Sequence, residues 1–262
     1  MTVVRQDSIL RKEFIDHERT CVITCPAEFN KHQREQTIEA CKLAMLNCQY
    51  ILEEPVAAAH YIACIEKIYE KLKNEIWMIY DFGGGSLDVA LVRVGNYVLE
   101  TLAIAGESHL GGQDIDNKLV DDLIQRYRDE YREENDKEPN ITPRILAKFK
   151  QAACRLKIEL SAAEEAIFNV EYPDFYLEGY TREEFLRVCE PVFARMFKPI
   201  DRVFEKANLS KDAVTRIIMV GGTTFIPFVR QKISEYFNNR IRLDCNTNPQ
   251  EIVALGAAYL AF

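Results

Sequence analysis

Short apolar runs alternate with segments of helical periodicity along the first quarter of the chain. Residues 21–26 form a β-branched run that ends at a proline, which predicts a strand. Apolar side chains recur at helical spacing over residues 30–47 and again over 56–72, and a second short apolar run occupies 49–52. Strands that alternate with helices indicate βαβ units with parallel strands.

The next part of the chain predicts two hairpins and two helices. Residues 76–80 are all apolar, and residues 89–94 and 97–104 alternate around Gly95-Asn96, a hairpin signal. Segments 119–134 and 144–160 have helical spacing. The alternation in 166–172 and 175–180 predicts a second hairpin. This stretch predicts a subdomain inserted into a sheet-based domain.

Capping signals organise the last third. The sequence from Thr181 to Glu184 is a capping box and predicts one long helix that reaches about residue 207. Residues 217–220 predict a buried strand that two glycines terminate, and residues 227–237 are helical. Asn248-Pro249 predicts the start of a final helix, with the asparagine as cap and the proline in the first turn.

Composition and charge exclude several classes of protein. The 262 residues are 48% apolar and 28% charged, and the charge sum of 33 − 41 gives −8, which argues against an electrostatic nucleic-acid binder and a polybasic membrane anchor. No apolar run reaches the roughly 18 residues of a spanning helix, and the charged first 16 residues lack the apolar core of a signal peptide. We therefore expect a cytoplasmic protein, with the microsomal lumen as the alternative if the N-terminus is truncated.

The chain has eight cysteines, none of them in a Cys-x-x-Cys pair. Most lie in apolar runs, so buried thiols are expected. Cys21 and Cys25 fall on one face of a predicted strand, but two thiols without a partner pair of Cys or His make a poor zinc site.

Candidate chemistry begins at a glycine turn. Asp81 stands at the carboxyl end of the apolar run 76–80, and Gly83, Gly84, Gly85 and Ser86 follow it. Glycines allow backbone N–H groups to point at an anion, and a strand-end aspartate can hold hydrated Mg²⁺. The turn joins two strands and no Gly-Lys-Ser/Thr follows, so it is not a P-loop. Taken alone, it could be a glycine-rich hairpin.

A second glycine turn changes this interpretation. Gly221 and Gly222 follow another buried strand some 135 residues later, and Glu54 supplies a further carboxylate after the run 49–52. Ligands bind at strand ends in open α/β sheets. The two turns are therefore expected to face each other across one cleft.

The motifs taken in order resemble the nucleotide-binding domain of the heat shock protein 70 family, in the actin-like ATPase superfamily. The matching segments are VITCPAEFN at 22–30, EPVAAA at 54–59, DFGGGSLDV at 81–89, LGGQD at 110–114, VGGTT at 220–224 and NP at 248–249. The resemblance implies an α/β, actin-like ATPase (ribonuclease H-like) fold with lobe II complete and lobe I partial. Residues 1–72 would be the partial lobe I and 73–262 lobe II, with the inserted subdomain at about 109–185.

The resemblance also assigns roles to single positions, with ATP or ADP and Mg²⁺ as the implied cofactors. Asp81 and Glu54 would be the catalytic pair, which holds Mg²⁺ through water, and Asp81 would also organise the attacking water. The nucleotide-binding positions would be Gly83, Gly84, Gly85 and Ser86 as a phosphate loop, Lys157 and Ser161 at the ribose and adenine, and Gly221, Gly222 and Thr223 along the cleft.

The sequence departs from the family at positions that matter. The family's first phosphate loop and catalytic lysine have no counterpart in this chain. Ile158 and Phe225 stand where the family has two arginines that clamp adenine, and Cys154 stands where it has a ribose-binding glutamate. Losing phosphate donors weakens stabilisation of the transition state. We therefore expect no hydrolysis by this chain alone.

Three functions follow as hypotheses. The first is an ATP/ADP-binding, chaperone-type module for ATP-dependent protein folding and the stress response. The second is a non-catalytic binding protein that engages chaperone partners, such as co-chaperones or nucleotide exchange factors, without ATP turnover. The third, a sugar kinase or actin relative, fits the continuous run of motifs poorly. None of the three includes a client-peptide site in this chain, a nucleic acid or a membrane.

Overall fold

The computed structural model describes residues 20–68, 74–95, 98–245 and 247–260. The strands are Thr20–Cys25 (β1), Asn47–Glu53 (β2), Glu75–Phe82 (β3), Leu87–Gly95 (β4), Val98–Glu107 (β5), Glu165–Glu171 (β6), Asp174–Thr181 (β7), Arg216–Val220 (β8) and Leu243–Asp244 (β9). The helices are Lys31–Leu43 (α1), Glu54–Ile65 (α2), Gly112–Asn135 (α3), Pro143–Ala162 (α4), Arg182–Phe193 (α5), Lys198–Ala207 (α6), Pro227–Tyr236 (α7) and Ile252–Leu260 (α8). Among these, no helix has the length and apolarity needed to cross a membrane.

A five-stranded sheet in the order β5-β4-β3-β8-β9 forms the centre of the fold. β3 pairs antiparallel with β4 and parallel with β8. In that parallel register Asp81 lies opposite Val220, so both glycine turns leave the sheet at the same edge. This α/β architecture confirms the predicted fold class.

The alternation of side chains along β3 divides the core in two. Trp77 and Ile79 point to one face, where they pack with helix α2. Met78 and Tyr80 point to the other face, into a larger cluster that contains residues of α3 to α7. Period-two alternation of a strand that is buried on both sides explains why residues 76–80 are all apolar.

The first unit is a βαβ arrangement, as predicted. β1 and β2 pair in parallel as a two-stranded sheet, connected by α1. The last helix packs near it, since α8 contacts α2 and β1. The approach of α8 to α2 requires a glycine, because a Cβ on Gly256 would lie 1.9 Å from the Ala57 carbonyl oxygen.

The middle segment contains the predicted hairpin of β6 and β7, which packs through α4 against α3. The hairpin around Gly95-Asn96 is also confirmed by the pairing of Gly95 with Val98, although residues 96–97 lie outside the described residues.

The prediction of one long helix from 181 to about 207 is wrong. The capping box at Thr181 does start α5, but α5 ends at Phe193 and α6 starts at Lys198. Pro191 lies inside α5 and Pro199 lies in the first turn of α6. Proline removes a backbone donor and crowds the preceding turn, and it is tolerated best at a helix start. The two prolines therefore favour two helices.

Two further differences concern the ends of helices, and a third is a short strand. The final helix starts at Ile252, because residues 249–251 form a turn after Asn248. The helix predicted over 56–72 ends at Ile65, and residues 69–72 of that prediction lie outside the described residues. Strand β9 has only two residues, too few to show a pattern in the sequence.

Candidate functional site

The loop of residues 83–86 is fixed by backbone hydrogen bonds. The Gly83 N–H donates to the Ser86 carbonyl at 3.0 Å and closes the turn. At the N-terminus of α3, the Gly112 N–H donates to the Gly83 carbonyl at 3.0 Å and the Gln113 N–H donates to the Gly84 carbonyl at 2.8 Å. The loop is therefore held by a helix that starts some 25 residues later.

This close approach depends on Gly111. A Cβ at that position would lie 2.3 Å from the Gly84 carbonyl oxygen and 2.6 Å from the Gly85 nitrogen. The segment that matched the family at 110–114 therefore acts as a support for the first glycine loop.

The second glycine turn contacts the first directly. The Thr223 hydroxyl donates to the Gly83 carbonyl at 2.8 Å. Gly221 has a φ of +83°, and a Cβ there would lie 2.4 Å from the Phe82 carbonyl oxygen and 2.7 Å from Asp81 Oδ1. Only glycine combines that φ with that approach. The expectation that the two turns face each other is confirmed, and Thr223 is the residue that joins them.

One side of the first loop is open. Gly84 and Gly85 are exposed, and a Cβ built on either meets no atom within 4 Å. Among the described residues, neither N–H donates a hydrogen bond to the backbone. Free N–H groups of successive glycines at an open surface are suited to hold an anion such as phosphate.

Carboxylates gather next to this loop. Asp81 is the penultimate residue of β3 and lies opposite Asp88 of β4 in the antiparallel register, and both side chains are buried. Glu54, the first residue of α2, is half-buried and interacts electrostatically with both. The Ser86 hydroxyl donates to Asp88 Oδ2 at 3.0 Å.

Burial raises the pKa of all three carboxyl groups, and neighbouring carboxylates add to the rise at Asp81 and Glu54. Burial, reinforced by Glu54 and Asp88, raises the pKa of Asp81 well above its usual value. Burial and the charge of Asp88 raise the pKa of Glu54 to about 7. Burial also raises the pKa of Asp88 to about 6, against the opposing effect of the Ser86 hydrogen bond.

In the part of the chain that the structure describes, no Lys or Arg forms an ion pair with Glu54, Asp81 or Asp88. Carboxylates at the end of a sheet that lack such an ion pair are a suitable donor set for a hard, hydrated cation. The residues therefore fit Mg²⁺ held through water beside a phosphate loop. Asp88 was not among the predicted site residues, although its hairpin register with Asp81 was available from the sequence.

Lys157 lies close to both glycine turns. Its ammonium forms a 2.8 Å ion pair with Asp116 and donates to the Gly112 carbonyl at 3.2 Å. A Cβ on Gly112 would meet both Lys157 Nζ, at 3.2 Å, and Thr223 Oγ1, at 2.9 Å. Lys157 is thus placed at the junction of α3, α4 and the second turn.

The remaining predicted positions lie along α4 and the turn after β8. The Ser161 hydroxyl donates to the carbonyl of Lys157 one turn earlier in α4, and Cys154 is half-buried on the same helix. Ile158 is 63% exposed and Phe225 is 41% exposed. The Arg230 guanidinium lies 5.4 Å from the centre of the Phe225 ring. Arg230 therefore places a cation beside Phe225, although position 225 itself carries no charge.

Comparison with known proteins agrees with this geometry. Residues 8–262 match the family model described as Hsp70 protein. The chain is 37% identical over 244 residues to the heat shock cognate 70 kDa protein 3 of Dictyostelium discoideum, with 92% of this chain and 38% of that protein covered. It is 36% identical to the heat shock 70 kDa proteins of Neurospora crassa and Emericella nidulans, of which it covers 36% each. The chain thus spans less than two fifths of the length of these relatives, and it belongs to the Hsp70 family.

Proposed function

We propose that the chain is an ATP/ADP-binding, chaperone-type module that binds nucleotide with Mg²⁺ at the junction of its two glycine turns. The hydrogen bond from Thr223 to Gly83 is the observation that carries this proposal, because it assembles the open loop, the carboxylates and the second turn into one site. Membership of the Hsp70 family supports the choice of ligand.

Each group in the site has a task that follows from its position. The exposed N–H groups of Gly84 and Gly85 bind phosphate oxygens, and the Ser86 hydroxyl lies beside them. Asp81, Glu54 and Asp88 would hold the water molecules of Mg²⁺, which when bound supplies positive charge for the phosphates. Asp81 and Glu54 remain the proposed catalytic pair.

The adenosine half of the site is built from α4 and the second turn. Lys157 and Ser161 on α4 and Gly221, Gly222 and Thr223 in the turn are proposed to line the ribose and base. Ile158 and Phe225 offer apolar surface to adenine, with Arg230 over the ring of Phe225 as the cation. Arg230 already contacts Phe225 and the Thr224 carbonyl, so a single aromatic ring with one cation beside it takes the place of two arginines. This half is therefore proposed to bind adenine more weakly than a clamp of two arginines.

We propose that this chain by itself binds nucleotide without appreciable hydrolysis. Ile158 and Phe225 replace the two arginines of the family, and Cys154 replaces its glutamate. Fewer polar groups therefore orient the base and ribose. A nucleotide that is poorly oriented presents its terminal phosphate poorly to an attacking water. ATP-dependent protein folding remains a proposal for the whole protein, since the chain spans less than two fifths of its relatives.

Calorimetric titration with ADP, in the presence and absence of Mg²⁺, tests the proposal. Binding that Mg²⁺ strengthens, and that Asp81→Asn makes independent of Mg²⁺, is expected. Asp174→Asn is the matched control, because Asp174 is exposed at the start of β7. The proposal fails if nucleotide does not bind the folded chain, or if both variants behave alike.

The second candidate is a non-catalytic protein that engages co-chaperones or nucleotide exchange factors without ATP turnover. The exposed Ile158, where a clamp residue is expected, favours it. The same titration decides between the two, because micromolar binding of ADP would contradict this second function. Neither candidate involves nucleic acid or a membrane.

A cytoplasmic location is proposed on the state of the thiols. All eight cysteines of the chain are free in the structure. Free thiols in this number are typical of a reducing compartment. Imaging of the tagged natural gene product tests the location, and colocalisation with a microsomal marker would contradict it.

A further inference from the structure

Three cysteines of the first βαβ unit meet in space, although they are far apart in the sequence. Cys21 in β1 is the register partner of Cys48 in β2, and Cys41 lies in the last turn of α1, which connects the two strands. The three sulfur atoms all lie within 4.8 Å of one another, and the Cys21 and Cys41 sulfurs are 3.7 Å apart. Cys25, which the sequence placed on the same face of β1 as Cys21, is not part of this group.

The spacing of the sulfurs suits one metal ion. A metal–sulfur bond of about 2.3 Å sets sulfur–sulfur distances of roughly 3.8–4.0 Å in tetrahedral or trigonal sites. The observed separations reach that range with small side-chain rotations. Cys41 is fully buried while Cys21 and Cys48 are half-buried, so an ion can enter from the side of the two strands.

Two of the thiols also contact backbone carbonyls. The Cys41 thiol donates to the Leu46 carbonyl at 3.6 Å, and the Cys48 thiol donates to the Tyr50 carbonyl at 3.4 Å. A metal ion would replace these S–H protons, so its binding exchanges two weak hydrogen bonds for metal–sulfur bonds.

We propose that Cys21, Cys41 and Cys48 form a three-coordinate thiolate site for a single soft d¹⁰ metal ion, Cu⁺ in preference to Zn²⁺. On binding, each S–H bond breaks, its proton leaves to solvent and a sulfur–metal bond forms, with no transfer of electrons. Soft thiolate ligands select Cu⁺ and Zn²⁺ among biological metals. Three sulfurs complete a trigonal Cu⁺ site, whereas a structural Zn²⁺ site takes four ligands.

Within the described residues, these three cysteines are the one group of three or more Cys, His, Asp or Glu whose ligand atoms lie so close together. A bound ion would connect β1, α1 and β2. The site is separate from the proposed nucleotide site, so its test does not depend on nucleotide binding.

The test is an anaerobic titration of the reduced, full chain with Cu⁺ against a chromogenic Cu⁺ chelator. We expect one equivalent to be retained per chain, with at least a tenfold loss of affinity in Cys21→Ser and in Cys48→Ser. Both positions are half-buried, which limits damage to folding. Cys245→Ser, at another half-buried thiol, is the matched control and should retain the ion.

X-ray absorption at the copper edge of the unmodified chain gives an independent reading and requires no variant. Three sulfur neighbours are expected. Failure of the chain to compete with the chelator, retention that is the same in Cys48→Ser, or fewer than three sulfur neighbours would overturn the site. Tighter binding of Zn²⁺ than of Cu⁺ would overturn the stated preference.

Discussion

The Thr223 hydroxyl donates a 2.8 Å hydrogen bond to the Gly83 carbonyl and joins two turns that lie 140 residues apart. The same carbonyl accepts the Gly112 N–H at 3.0 Å, so two donors orient the peptide that leads into the exposed glycines. Thr223 is itself 5% exposed, so its hydroxyl lies in the protein interior between the two turns. The position of the first loop therefore depends on a residue of the second.

Thr223→Val tests this dependence. Removing the hydroxyl leaves the Gly83 carbonyl with one donor, which should cost about 1 kcal/mol of unfolding free energy and lower ADP affinity several-fold. Thr223→Ser keeps the hydroxyl and should behave like the natural chain in both measurements. Equal ADP affinity in the valine and serine variants would show that the bond does not organise the site.

Gly84 and Gly221 are expected to differ when each is replaced by alanine. At Gly221 the φ of +83° and the 2.4 Å approach to the Phe82 carbonyl oxygen strain any side chain, so Gly221→Ala should lose about 1–3 kcal/mol of stability. At Gly84 a methyl group meets no atom within 4 Å, so Gly84→Ala should have the same melting temperature as the natural chain. It should nonetheless weaken ADP binding, because its methyl group occupies the proposed phosphate space.

Thermal unfolding with ADP titration measures both glycine variants. Unchanged ADP affinity in the folded Gly84→Ala protein would place the phosphate elsewhere.

The acidic cluster predicts a specific dependence of stability on pH. The folded-state pKa of Glu54 is raised to about 7 and that of Asp88 to about 6, above their values in the unfolded chain. A carboxyl with a raised pKa holds its proton more tightly when folded, so its stabilising contribution is complete below pH ~4 and is lost as pH rises through the folded value. Without divalent cations, stability should therefore fall between about pH 4 and pH 7.

Mg²⁺ should reverse much of that loss near neutral pH, because it binds the ionised carboxylates. Melting temperatures measured across this range with and without Mg²⁺ check both effects. Glu54→Gln removes the titrating group with the highest stated pKa and should flatten the profile. A profile of Glu54→Gln that matches the natural chain would exclude Glu54 as a source of the pH dependence.

Ile158→Arg should strengthen nucleotide binding. The side chain is 63% exposed, so an arginine fits without a change in the core. A cation over an aromatic base contributes about 0.5–1 kcal/mol at such a site, which corresponds to a two- to fivefold gain in ADP affinity. Ile167→Arg is the matched control, because Ile167 is 54% exposed on β6 and outside the proposed site. An equal gain in both variants would indicate a general effect of charge.

The sequence was sufficient for most of the fold because its strands and caps are local signals. The run 76–80, the paired glycines and the capping box at Thr181 each specify a structure within a few residues. The break between α5 and α6 is harder to predict, because helical spacing continues across it and only Pro191 and Pro199 mark it in the sequence.

The site was only partly accessible to sequence reasoning. The placement of both turns at strand ends predicts that they face each other. The hydrogen bond from Thr223 to Gly83 depends in addition on the parallel register of β3 and β8. The cation over Phe225 comes from Arg230, one turn into α7, and the thiol group of Cys21, Cys41 and Cys48 comes from the register of β1 and β2. Such contacts between distant segments have no local signature.

Asp81 and the two glycine turns are proposed to form a site for nucleotide with Mg²⁺ within this chain. The decisive experiment is calorimetric titration of the chain with ADP at neutral pH, with and without Mg²⁺. We expect saturable binding at one site per chain, strengthened by Mg²⁺ in the natural protein and in Asp174→Asn but not in Asp81→Asn. Absence of heat from a chain shown to be folded, or the same Mg²⁺ effect in Asp81→Asn, would contradict it.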